Sequence, residues 1–91
     1  MTEMDIDKEK ELMDRIAADD HQAFTQIYEH YWKSMLLIAW GHTKDKTLAE
    51  DVVHEVFMRL WTNRNNRQIQ NIKAFLQTAI KYSLFAHYRK E

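Results

Sequence analysis

Between residues 47 and 61 the apolar and polar positions follow a helical period. Ala49, Val52, Val53, Val56, Phe57 and Leu60 fall on one side of a 3.6-residue repeat. Asp51, His54, Glu55, Met58 and Thr62 fall on the opposite side, at spacings i, i+3, i+4, i+7 and i+11. The first set reads as a core stripe and the second as an acidic ridge with a methionine in its middle. A solvated face is the plain account of such a ridge. The methionine between carboxylates points instead to a partner surface, because solvated faces more often carry Lys, Gln or Ser there. Thr47 followed three residues later by Glu50 reads as a capping box that starts this helix.

The same period predicts three further helices. Residues 1–7 lack a clear repeat and read as loose. Leu12, Met13, Ile16 and Ala17 recur at helical spacing, predicting a first helix over about 8–18, interrupted at Asp19-Asp20. Asp20 is a suitable N-cap for a second helix over about 21–40. Its stripe is Phe24, Ile27, Tyr28, Tyr31, Met35 and Ile38, widened by Leu36, Leu37 and Trp40, so it is expected at the centre of the core. Gly41 follows the last periodic residue as a C-terminal cap would. The third helix runs over about 47–62. Residues 62–71 are nearly free of apolar side chains and read as a basic, amide-rich loop. A fourth helix over about 72–89 turns Ile72, Leu76, Ala79, Ser83 and Ala86 inward, flanked by Phe75 and Ile80. Nothing in the pattern calls for a strand.

Composition narrows the class to one all-α domain, a compact bundle of about four helices over residues 1–91. There is no Pro and a single Gly, which suits helices better than the turn-rich chain of a β protein. Hydrophobic residues make up 45% of the 91, enough for a small core. The absence of Cys excludes disulfides and thiolate chemistry, and a reducing compartment is permitted. Met35–Trp40, the longest apolar run, is far too short to span a bilayer, so no membrane insertion is expected. The acidic, polar N-terminus is not a signal peptide.

The formal net charge of −1 conceals a split. Residues 1–55 hold 6 Lys/Arg against 13 Asp/Glu, a net of −7; residues 56–91 hold 7 against 1, a net of +6. A basic end of this kind can meet phosphates, unless the two halves simply neutralise one another in the fold. From Arg64 onward, cations are interleaved with amides and aromatic rings: Arg64, Asn66, Arg67, Gln68, Lys73, Phe75, Lys81, Tyr82, Phe85, Tyr88 and Arg89. On the last helix Thr78, Lys81, Tyr82, Phe85 and Arg89 share a face turned from the core stripe. Cations track phosphates, amides reach base edges, and rings stack on unpaired bases, so the mixture suits single-stranded nucleic acid. Phe85 and Tyr88 could equally pack on a neighbouring helix.

Catalytic signals are weak. His54-Glu55 resembles the start of a zinc-protease H-E-x-x-H motif, but Met58 occupies the place of the second ligand. The five His residues have no metal spacing, and no cofactor or metal is expected. Asp51 and Glu55 lie one turn apart on a helix surface, where shifted acid–base pKa values are seldom reached. One glycine cannot make a phosphate-binding loop. The chain therefore reads as a non-enzyme.

The segment A-E-D-V-V-H-E-V-F-M-R-L-W resembles the region 2 pattern of extracytoplasmic-function (ECF) sigma factors of bacterial RNA polymerase, A-E-D followed by two hydrophobic residues, Q-E, and then alternating hydrophobic positions around F and W. The resemblance extends over about residues 20–90. It implies a few packed helices, with Asp51, His54 and Glu55 meeting the β′ clamp helices of RNA polymerase core; Met58, on the same ridge, is expected to dock with them. His54 stands where the family has Gln, and a neutral imidazole can still make one hydrogen bond. The run I-K-A-F-L-Q-T-A-I-K-Y-S-L-F-A-H-Y-R-K is similar to the family's F-R-A-W-L-Y-R-I-A-R-N-x-A-x-D-Y-L-R. Phe75 stands for Trp, Lys81 for Arg, Tyr82 for Asn and His87 for Asp, while Tyr88 is retained. The loop 64–71 and this helix would then recognise the promoter −10 element and hold bases flipped from the non-template strand. The family also implies a cytoplasmic location and an anti-sigma factor as a further partner. The helix-turn-helix domain that reads the −35 element (region 4) finds no room before Glu91, so an isolated domain is expected. Two other classes stay open: a helical protein-interaction module without DNA binding, and a small hydrolase built on an unrecognised His/carboxylate site.

Overall fold

The computed structural model describes residues 5–65, 69 and 71–89, with Arg89 described for its backbone alone. They form four α-helices: α1 (Ile6–Ala17), α2 (His21–Thr43), α3 (Lys46–Thr62) and α4 (Ile72–Arg89), with no strand among the described residues. The chain is an all-α bundle, and α2 packs against each of the other three helices.

The helix ends are fixed by local chemistry. Asp5 caps α1, its carboxylate accepting from Lys8 N at 2.7 Å. The helix ends in a Schellman turn: Asp20 N donates to Arg15 O and Asp19 N to Ile16 O, with Asp19 left-handed at φ 68°. Asp is the usual alternative to Gly and Asn for that conformation. Asp20 then caps α2, accepting from Gln22 N and Ala23 N at 3.0 and 3.3 Å, as its position in the sequence predicts. The Arg15 guanidinium, 2.9 Å away, holds the Asp20 carboxyl below its ordinary value, helped by the two amides.

Two expected caps are corrected. Gly41 does not end α2; the helix continues to Thr43 and closes at Lys44, which takes the left-handed conformation at φ 57° and donates its N–H to Trp40 O. Thr47 does not start α3. Asp45, two residues earlier, accepts from Leu48 N at 3.2 Å and takes the N-cap position, because a carboxylate there is at least as good an acceptor as a threonine hydroxyl. The interior position of Gly41 has a measurable consequence. Nothing lies within 4 Å of an added Cβ and its φ is not positive. Gly41→Ala is therefore expected to stabilise the domain by about 0.5–1 kcal/mol, read as a rise in melting temperature; an unchanged or lowered midpoint would show a constraint the backbone does not reveal.

The α3 stripe lies where its period places it, with Ala49, Val52, Val53, Val56, Phe57 and Leu60 all fully buried. Leu12 and Ile16 of α1 close one side. From α4 come Ile72, Leu76, Ala79, Ile80, Ser83 and Leu84. Ala86 is exposed and Leu84 takes its expected place inside. In α2 the buried stripe is Ala23, Ile27, Tyr31, Met35 and Ala39, a strict i, i+4 row with alanines at both ends that let neighbouring helices approach. That row rotates Leu37 and Trp40 outward, so they do not widen the core as expected; they are 58% and 43% exposed. A row of rings, Trp32–Tyr28–Phe57 and Phe24–Trp61, with centroids 4.7 to 5.3 Å apart, seals the seam between α2 and α3.

Candidate partner and nucleic-acid surfaces

On α3 the residues opposite the core stripe reach solvent together. Asp51, His54 and Glu55 are exposed, and Met58 is 42% exposed on the next turn. Glu55 pairs with Arg59 at 3.5 Å, an i, i+4 contact with both side chains half in water. Such a pair is worth only about 0.3–0.5 kcal/mol and leaves Glu55 able to meet an outside cation. The ridge offers two carboxylates, an imidazole and a thioether on one helix face. Among the described residues no group of His and carboxylates could hold a metal ion.

On α4 a second surface runs along Thr78, Lys81, Tyr82, Phe85 and Tyr88. All are exposed, and the three rings show 66%, 64% and 51% of their area to solvent. Phe85 and Tyr88 are therefore not packed into the bundle, although the Tyr88 hydroxyl reaches His42 O at 3.5 Å. Between this face and the end of α2 lies a groove of about 260 Å³ lined by Ile38, His42, Ala74, Gln77, Thr78 and Lys81. An amide, a hydroxyl, an imidazole and an ammonium line it beside Ile38 and Ala74. Ile38, His42 and Gln77 were not among the residues singled out from the sequence. Only the crossing of α2 and α4 brings them together, and no local signal marks it.

Other expected nucleic-acid residues are placed differently. Phe75 is partly buried and packs against the core. Arg64 is turned back on the domain. Its Nε donates to Asp19 Oδ1 at 2.9 Å and its Nη1 to Trp61 O at 2.8 Å, and its guanidinium lies over the Trp61 ring at 4.2 Å. Lys73 is exposed at the start of α4. Asn66, Arg67 and Gln68, together with the Arg89 side chain, lie outside the described residues.

A family model for sigma-70 region 2 matches residues 27–91. That span covers α3, α4 and most of α2, including both surfaces. The chain belongs to the sigma-70 region 2 family, a transcription-initiation domain that works with RNA polymerase core and promoter DNA and is not an enzyme. No curated protein and no solved structure matches the chain. No helix among the described residues is long and apolar enough to cross a membrane.

Proposed function

We propose that the chain is a region 2 domain of the ECF subtype, with residues 1–91 acting as one unit that joins polymerase to the melted −10 element. The Asp51/His54/Glu55/Met58 ridge docks on the β′ clamp helices. The α4 face, with Thr78, Lys81 and Tyr82, takes the non-template strand, supported by Lys73 and by Asn66, Arg67, Gln68 and Arg89. Phe75 packs against the core from α4, and Arg64 is tied to Asp19 and Trp61 at the end of α3. The observation that carries the reading is the run of three rings on α4, each more than half exposed beside Lys81, in a domain that otherwise buries most of its apolar side chains. Exposed rings next to cations gain nothing in water and are well suited to stack on unpaired bases. The groove lined by Gln77, Thr78 and Lys81 lies along the same face. Capturing such bases draws the duplex–open equilibrium towards the open form, and no covalent step is needed. The ECF resemblance brings with it a cytoplasmic site of action and an anti-sigma factor as a second protein partner.

The test is fluorescence anisotropy with labelled −10-like oligonucleotides across a salt series, with and without polymerase core. Single strand is expected to bind more tightly than the matching duplex. Lys81→Ala is expected to lower the log–log salt slope by about 0.7, the signature of one lost single-strand phosphate contact. Tyr82→Ala is expected to cost about 1–3 kcal/mol with little change in slope, because a stacked ring carries no charge. Equal affinity for single strand and duplex, with Tyr82→Ala indistinguishable from wild type, would leave only a basic surface.

A further inference from the structure

Residues 30–44 and 72–88 hold 4 Lys/Arg and no Asp/Glu, although the chain has 14 carboxylate side chains in all. These two stretches are the C-terminal part of α2 and nearly all of α4, helices that pack on one another. The carboxylates fall within the first 20 residues, at Glu29, between Asp45 and Glu55, and at Glu91. A division of charge at residue 55 hides this, because the acid-free side of the bundle is assembled from both halves. Cations with no carboxylate between them suit an anionic partner.

The α4 face covers only part of that side. On α2, Leu37, Trp40, Gly41 and Lys44 recur at i, i+3, i+4 and i+7 and line a second groove of about 240 Å³. All four are exposed, as is Lys33 one turn before Leu37. The two grooves share the same turns of α2: Leu37 and Gly41 border one, Ile38 and His42 the other. The Tyr88 hydroxyl reaches His42 O, so the end of the α4 face meets α2 at this place.

Gly41 stands there without a reason internal to the fold. Its φ is not positive and nothing lies within 4 Å of an added Cβ, so neither backbone conformation nor packing asks for a glycine. Inside a helix it costs about 0.5–1 kcal/mol against alanine. What bare backbone on an exposed turn provides is close approach by something outside the domain. The carbonyls at this helix end are partly taken, Trp40 O by Lys44 N at 2.9 Å and His42 O by Tyr88, and so oppose an anion less.

We infer that this α2 face is a second contact for single-stranded nucleic acid: the strand passes from the α4 rings across α2 at Gly41, with a base against Trp40 and a phosphate at Lys44. The inference rests on the DNA reading given above. Trp40 beside Lys44 repeats the pairing of ring and cation at Tyr82 and Lys81, which selects a strand over an acidic peptide.

The test is fluorescence anisotropy with two labelled single strands that share the −10-like sequence, one of about five nucleotides and one of about twelve. Wild type is expected to bind the longer about tenfold more tightly, within what one stacked base contributes. Gly41→Gln places a side chain across the path while favouring the helix. It is expected to remove that gain and leave the short strand unaffected, with a melting temperature no lower than that of wild type. Lys44→Asn keeps a residue that tolerates φ 57° and removes the charge, so the log–log salt slope is expected to fall by about 0.7 on the long strand alone. No gain from length in wild type, or a long strand bound by both variants as by wild type, overturns the α2 contact. So does a loss that strikes both lengths alike. Loss of polymerase core capture with strand binding unchanged gives the face to a protein and overturns it too. Tyr82→Ala tests the underlying reading separately, since it is expected to weaken both lengths. If that variant binds both as wild type does, the α4 reading falls, and the path across α2 with it.

Discussion

Val56→Asp is expected to unfold the domain. Val56 is fully buried in the α3 stripe, within the core cluster to which all four helices contribute. No basic residue lies among the buried ones, and the only buried polar side chain is Ser83, among the described residues. An ionised carboxylate placed there has no partner, and a neutral one still loses its hydrogen bonds to water. The cost is at least several kcal/mol. A domain of this size has about 5–15 kcal/mol of stability in total, so the variant has little left. Circular dichroism at the helical minimum, followed through a thermal melt, makes the measurement. Met58→Asp is the control, since it places the same charge two residues along on the exposed face of the same helix. The control is expected to melt as wild type does. A cooperative melt of Val56→Asp close to that of the control would mean that α3 does not pack as described.

Asp51→Arg combined with Glu55→Arg is expected to abolish capture of polymerase core while leaving the helix content intact. Both residues are exposed, so the fold loses only the Glu55–Arg59 pair, about half a kcal/mol. The local charge changes by four units across one helical turn. A partner surface selected to meet two carboxylates then meets two guanidinium groups, and like charges forced together at an interface cost several kcal/mol. Wild-type capture by this double variant would reduce the ridge to an ordinary wetted helix face. Because the α4 surface is untouched, single-strand binding by the variant should persist, which separates a failed interface from a failed fold.

Much of the bundle was legible along the chain because burial in a helix repeats locally. The α3 stripe and its exposed counterpart follow from a single period, and Asp20 announces the start of α2 by its type and place. The helix ends were less legible where two residues compete. Asp45 and Thr47 can each cap α3, and the nearer candidate in the pattern lost to the better acceptor. Gly41 is the residue best able to end a helix, yet Lys44 did so three residues later, at the end of a helix whose packing continues past the glycine. Leu37 and Trp40 misled because a run of consecutive apolar residues hides which of them share a face. The long-range placements are of another kind. Arg64 sits in a basic segment, and nothing near it in sequence shows that Asp19, 45 positions away, has already claimed it. The groove beside Lys81 likewise needs His42 and Gln77 from different helices. Pairings at that range are decided by how helices cross, which no local period encodes.

The central place of α2 bears on where the work of opening a promoter falls. Because α2 touches all three other helices, no two parts of the bundle can separate without breaking a contact with it. Its amides should exchange with solvent only when the whole domain opens, as one cooperative unit. Among the described residues no helix stands apart from this packing. The two surfaces then stand at a fixed distance and angle, like features on a ruler, and the protein cannot meet the DNA halfway by changing its own shape. The bending and unpairing must be done by the nucleic acid, so the ease with which a given promoter deforms becomes part of how well it is recognised.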